Sequence, residues 1–322
     1  MNDSPPDSPN PAPEASVVIP TWNRKDDLAL ALASLMNQTV PLEIIVMDDG
    51  SDDGTQEMIR DRFPSIIYHR HKRGNGPTAL RKKGIGLASC EIVFPFDNDI
   101  ELVHPATVEQ AIREFEHPRV GAVAVPYIER SRDPDTVLHR PPSDDGLWVL
   151  DRYMGAVSGL RRSMFLKLGG YRSDQYYYGE ESDLAIRMLA AGYVIRAGQA
   201  DPIHHIRSTT SRPSAFSFEQ GRINGLLLPW HYAPLRYLLP HWASTVRASL
   251  VVGVKSGQLG VALRGLVKGW GACLGRRRHR RPVSVPIYRL WTRLRRQGPR
   301  RLEDIEHYLV DLDQPVSPDL VV

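Results

Sequence analysis

Two aspartates one residue apart, Asp97 and Asp99, follow the apolar run Ile92 to Phe96. The C-terminal end of a buried strand is where open α/β sheets place ligands. In an extended segment residues two apart point to the same side. Carboxylates held that close repel, and a hard divalent cation relieves the repulsion while leaving positions for phosphate oxygens. The motif therefore reads as a metal-bound nucleotide site, and equally as a solvated acidic turn. A second acidic loop, Asp48-Asp49-Gly50, follows the apolar run Leu42 to Met47. Asp49 is either a ligand-facing carboxylate or an Asx turn before a helix. Between the two loops stand Arg81, Lys82 and Lys83. Arg81 suits phosphate recognition, and the three together also suit a solvated helix face. Gly74-Asn75-Gly76 matches neither the phosphate-loop lysine pattern nor the dinucleotide fingerprint, which counts against both classes.

Glu180, Glu181 and Asp183 crowd the first turn of a predicted helix. Acids there complement the helix dipole, worth about 0.3–1 kcal/mol each. Three exceed that need, so one of them could serve as a general base. His204-His205 lies ahead of Arg207 and Ser208, and imidazole is a frequent ligand where carboxylates already hold a Mn²⁺-type ion. Trp148, Tyr171 and Tyr176 to Tyr178 could stack on sugar rings or pack a core.

The elements that must position these groups alternate. Strands are predicted over Ala15–Thr21, Leu42–Met47, Ile66–Arg70 and the run ending at Asp97. Helices are predicted after an Asn23 cap, over Thr55–Arg62 and over Pro77–Ser89. Strands alternating with helices at this spacing imply an α/β fold with a doubly wound, mostly parallel sheet and flanking helices. Further on, Val120–Pro126 is a strand, 129–146 a polar loop, and Arg161–Leu168 and Glu181–Ala191 are helices. From about Gly225 the chain is helical, aromatic and then basic.

A length of 322 residues, with 42% hydrophobic and 24% charged residues, accommodates one large domain plus an appendage. Net charge is +4, but eleven arginines fall between Arg276 and Arg301. Cys90 and Cys273 are the only cysteines, too few for a disulfide framework and without metal-ligand spacing. Residues 1–14 read as a disordered Pro-rich tail and not a secretory signal. No window approaches the roughly 18 uninterrupted apolar residues of a membrane span. The basic segment lacks a nucleic-acid-binding motif, so no nucleic-acid partner is expected. With Trp and Leu near the arginines it reads as an interfacial surface for anionic lipid, or as a solvated basic tail.

The order of ASVVIPTWNR, EIIVMDDGSDDGT, FPFDND, GGYRSDQYYYGEESDLAIRMLAAGY and IHHIRS resembles the family-2 glycosyltransferases, which have the GT-A fold and mostly invert the anomeric centre. The likeness runs from about Ala15 to Ser208. It implies a GT-A domain over 15–224, with a nucleotide-binding half (15–119) and an acceptor half (120–224), and a helical, Arg-rich appendage over 225–322. It implies that Thr21 and Asp49 contact the nucleotide base, that Arg81 lies near base or diphosphate, and that Asp97 approaches the ribose. Asp99 would ligate Mn²⁺ or Mg²⁺, with His205, or else His204, completing the metal site. Glu181 would be the catalytic base, although Asp is the usual residue there. The implied partners are a nucleotide-sugar donor and a glycan or lipid-linked glycan acceptor. The expected address is cytoplasmic, with peripheral attachment to the inner face of the cell membrane left open. A nucleotidyltransferase and a non-catalytic nucleotide-sugar or glycan-binding protein are the alternatives.

Overall fold

The computed structural model describes residues 11–172, 178–206, 214–276 and 279–322, with Ser214 by its backbone alone. The expectations for the first ten residues, Tyr176, Tyr177, Arg207, Ser208, Arg277 and Arg278 lie outside the described residues. The chain opens with β1 (Ala15–Thr21), α1 (Lys25–Met36), β2 (Leu42–Asp48), α2 (Thr55–Arg62), β3 (Ile67–Arg70), α3 (Pro77–Leu87) and β4 (Ile92–Phe94). These four strands lie in the order β4-β1-β2-β3, all parallel. Every residue of β1 is buried, as a central strand covered on both faces requires.

The middle of the chain forms β5 (Ile100–Glu101), α4 (Thr107–Arg113), β6 (Val120–Ala124), β7 (Tyr127–Glu129), β8 (Asp133–Leu138), β9 (Trp148–Leu150), β10 (Ser158–Arg161), α5 (Arg162–Lys167), α6 (Glu180–Ala190), β11 (Val194–Ala197) and β12 (Ile203–His205). Strand β10 enters antiparallel between β4 and β6, and β11 runs parallel to β6. The parallel character thus belongs to the first half, and the sheet becomes mixed beyond β4. A second sheet, β5-β12-β7-β8, stands apart from the nine-stranded one.

The strand expected to run to Asp97 stops at Phe94. Pro95 has no N–H to continue a ladder, and Asp97-Asn98-Asp99 turns the chain from the large sheet into β5 of the small one. Asn23 does not cap α1. Its side chain bonds Asp52 instead (2.7 Å), while the Asp53 carboxylate accepts from the Lys25 N–H (2.9 Å). The polar stretch 129–146 contains the exposed strand β8.

The last third holds α7 (Ser214–Tyr232), α8 (Leu235–Lys255), α9 (Leu259–Gly275), α10 (Val285–Gln297), β13 (Arg300–Arg301) and α11 (Leu302–Ile305). The boundary expected at residue 225 falls inside α7. The segment beyond it also returns to the main fold, for β13 pairs with β9 as the edge of the large sheet. Helix α10 buries Ile287, Tyr288, Leu290, Trp291 and Leu294, packing on α6 and β9 and stacking Trp291 on His241 of α8. This corrects the interfacial reading of Arg276–Arg301: the apolar face of α10 belongs to the core, leaving its arginines outside.

Candidate active site

The C-terminal ends of the parallel strands β1, β2 and β4 lie on one edge of the large sheet, where the turn 97–99 leads into the small one. Asp97, Asp99 and His205 meet there, with one potential ligand atom from each within 4.8 Å of the others. His205 Nε2 lies 3.4 Å from Asp99 Oδ1, and its Nδ1 lies 3.1 Å from Glu129. The parallel register of β12 on β7 sets His205 beside Glu129. Burial lowers the affinity of His205 for its proton, but Asp99, Glu129 and Asp97 outweigh it and push the pKa up to about 9. The same carboxylates that favour a proton on this ring would favour a metal ion in its place.

His204, next along the strand, points to the opposite face. Its nearest acid is Glu101 at 4.0 Å, and it is outside the three-residue group. Of the two histidines, the geometry brings only His205 to the aspartates. It also brings Asp97, expected at the ribose, within the same ligand distance as Asp99.

Two arginines bracket the cluster. Arg24 Nη1 lies 3.3 Å from Asp99 Oδ2. Arg81 is buried, and its Nη2 donates to Asp97 while Nη1 lies 3.4 Å from Glu180. Burial by itself would lower the Arg81 pKa; Asp97 and Glu180 reverse that, so the guanidinium stays charged. Arg81 therefore ties the Asp97 turn to the start of α6 and is no solvated face.

The first turn of α6 divides its acids. Asp183 is fully buried, held by Arg187 at 2.7 Å and by the Tyr232 hydroxyl at 2.7 Å. It has no path to a substrate. Glu180 is buried against Arg81, while half-buried Glu181 accepts from the Gly155 N–H (3.2 Å). Burial, then repulsion from Glu181, raises the Glu180 pKa despite Arg81. Desolvation likewise raises that of Glu181, against backbone N–H groups and Arg81. Two adjacent carboxylates with raised proton affinity are suited to accept a proton.

Thr21 and Asp49 lie at the same edge. Thr21 Oγ1 accepts from Asn98 (2.9 Å), joining the end of β1 to the Asp97-Asn98-Asp99 turn. The Asp49 carboxylate accepts from the N–H groups of Asn75 (3.0 Å) and Gly76 (3.1 Å), fixing the loop ahead of α3. The Asx turn before α2 belongs to Asp53, which accepts from the Thr55 N–H two residues on (3.2 Å), while Asp48 accepts from the Ser51 N–H (2.9 Å). Two aromatic candidates fall away. Tyr171 is buried against Phe165 (ring centroids 5.0 Å apart) and Tyr153, and Trp148 sits on β9 under Arg301, on the far side of the sheet.

Arg24, Asn98 and Glu129 were not singled out by the sequence reading. Arg24 and Asn98 adjoin marked motifs, so proximity was an available signal. Glu129 had none, because only the β7–β12 pairing joins it to His205.

The sequence profile of the family described as Glycosyl transferase family 2 matches residues 16–170. A GalNAc(5)-diNAcBac-PP-undecaprenol beta-1,3-glucosyltransferase of Campylobacter jejuni is 28% identical over 195 residues, 55% of this chain and 60% of that protein. Validoxylamine A glucosyltransferase of Streptomyces hygroscopicus is 31% identical over 221 residues, 56% of this chain and 52% of the relative. The chain thus spans between half and three fifths of these curated relatives. Among solved structures, mannosyltransferase PcManGT from Pyrobaculum calidifontis, in complex with GDP-Man and Mn²⁺, superposes with a TM-score of 0.55 at 20% identity, covering 92% of this chain and 84% of the other. GalNAc-T7 with UDP, GalNAc and Mn²⁺ gives 0.56 at 14% identity, covering 74% and 51%. With the family profile over residues 16–170 and the architecture shared by these neighbours, the chain is similar to glycosyltransferase family 2 over that segment and has the GT-A fold.

Proposed function

We propose that this chain transfers a sugar from a nucleotide-sugar donor to a hydroxyl of a glycan or lipid-linked glycan acceptor, with inversion, using Mn²⁺ or Mg²⁺. The observation that carries this reading is the Asp97, Asp99 and His205 group facing Glu180-Glu181 across Arg81. The donor set fits such an ion, with hard carboxylate oxygens and one imidazole whose second nitrogen is oriented by Glu129. Asp99 and His205 would hold the ion, with Asp97 in reach. A cation there supplies Lewis-acid neutralisation of the charge on a departing nucleoside diphosphate.

The rest of the chemistry belongs to side chains present in the chain. Glu181 takes the proton of the acceptor hydroxyl as that oxygen attacks the anomeric carbon from the face opposite the leaving group. One displacement inverts the centre, with no covalent enzyme intermediate. Glu181 is one methylene longer than the usual Asp, and the Gly155 N–H at 3.2 Å holds it. Thr21 and Asp49 shape the base end, and Arg81 keeps the two halves of the site in register. The Campylobacter relative is named for a diphosphate-linked lipid acceptor, which favours a lipid-linked acceptor here; a cytoplasmic address at the inner membrane face is part of the same proposal.

Release of nucleoside diphosphate from a panel of UDP-, GDP- and dTDP-sugars, with and without Mn²⁺, tests the reading. Asp99→Asn and Glu181→Gln should each lower transfer by about 10²–10⁴-fold, and only Asp99→Asn should also weaken metal-dependent donor binding. Full transfer by either variant would sink the assignment.

A further inference from the structure

Helices α8 and α9, joined by residues 256–258, have many of their large side chains on the wrong side for a helix pair surrounded by water. The buried face of α9 is made mostly of small residues: Ala262, Gly265, Gly269 and Cys273, with Leu266. Its exposed side carries Leu259, Leu263, Val267, Trp270 and Leu274, spaced four, four, three and four residues apart as one helical stripe. The glycines are needed where they are. A Cβ at Gly265 would come within 2.8 Å of Arg222, and one at Gly269 within 2.9 Å of Leu226, both on α7. Helix α8 buries Leu238 and Trp242 together with the small Ser249 and Gly253, and still leaves Leu235 77%, Leu239 71% and Val254 65% exposed. Between the helices lies an open groove of about 750 Å³ lined by Leu239, Trp242, Val246, Leu250 and Trp270. Contiguous exposed apolar surface of this kind marks an interaction site.

Charge selects the occupant. Helices α8 and α9 carry Arg236, Arg247, Lys255, Arg264 and Lys268 and no Asp or Glu. The last acid before them, Glu219, is already shared by Arg264 (3.3 Å) and Lys268 (2.5 Å). Two copies of such a surface would repel one another, whereas an anionic lipid surface attracts each nearby Lys or Arg. Among the described residues no helix is long and apolar enough to cross a membrane. The stripes can therefore lie in an interface and not span it.

We propose that the α8–α9 face is a docking surface for an anionic lipid bilayer, in place of the α10 segment. It deepens the proposed function, on which it rests for the acceptor's address. Helix α7, on which α9 packs, carries Asn224 beside Gly179 (3.5 Å to its Cβ position), one residue before Glu180. The docking face is thereby joined through α7 to the start of α6, where Glu180 and Glu181 lie.

Flotation of the full chain with phosphatidylcholine vesicles, and with vesicles holding an equal share of phosphatidylglycerol, tests this surface. The chain should float with the mixed vesicles and far less with phosphatidylcholine alone. The pair Leu239→Glu and Val267→Glu, both on exposed positions, should weaken vesicle binding about tenfold or more, with the circular dichroism and the donor cleavage of the parent kept. Three results would overturn it: the parent staying in solution with both vesicles, the variant floating like the parent, or a parent dimer that the substitutions dissociate without any vesicle binding. Vesicle binding without donor cleavage would leave this surface standing and remove the catalytic reading instead.

Discussion

At the scale of residues, the site is governed by how closely like charges are packed and what balances them. Asp97, Asp99 and Glu129 are balanced by Arg24, Arg81 and His205, and Glu180 pairs with Arg81. Glu180 and Glu181 hold protons above the usual carboxylate range, with desolvation as the leading cause. A base works when deprotonated, so transfer should fall as pH drops through the raised Glu181 value. Removing the neighbouring charge with Glu180→Gln lowers that value, because the Glu181 anion then faces less repulsion. The acid limb of kcat/KM should therefore move to lower pH by roughly one unit. A limb moving upward, or staying fixed, would exclude coupling between the two glutamates.

At the scale of elements, α6 shows how one acid-rich turn does two jobs. Asp183 faces inward at a position one helical turn before Arg187, and that pair is fully buried. Arg187 also donates to the carbonyls of Leu168 (2.8 Å) and Gly170 (2.7 Å), so the pair fixes the end of the α5 segment against α6. Glu180 and Glu181, displaced around the helix, face the site. Breaking a buried pair from one side leaves an uncompensated charge, so Asp183→Ala should destabilise the chain by about 3–5 kcal/mol in urea unfolding. A loss below about 1 kcal/mol, the range of exposed pairs, would contradict the structural role of Asp183. The turn carrying Asp97 and Asp99 is likewise an element property. It links two sheets, and Asn98 anchors it to β1.

At the scale of the molecule, the last third of the chain belongs to two environments. Residues 285–305 complete the main fold through α10 and β13, while α8 and α9 bury Leu238, Trp242 and Leu266 in the core and leave Leu235, Leu239, Val254, Leu263 and Val267 exposed. Trp291 is 1% exposed, and removing it leaves a void under the sheet. Trp291→Ala should cost about 3–5 kcal/mol. Because α10 packs on α6 and β9, fluorescence and far-ultraviolet circular dichroism should report one shared unfolding transition. Two separated transitions would show that 285–305 is an independent appendage after all.

The sequence by itself determined the alternation of buried strands and helices in the first half, the two acidic loops at one sheet edge and the acid-rich start of α6. Those signals are local, since burial imposes its period on consecutive residues. The choice of His205 over His204 depended on strand facing, and Glu129 on the pairing of β7 with β12 across many residues. The split between Asp183 and Glu181 depended on which side of α6 met Arg187. The apolar face of the basic third was legible only as composition. Tertiary packing decided that α10 turns it inward and α8 and α9 turn it outward, because a side chain is buried only when a partner arrives to cover it.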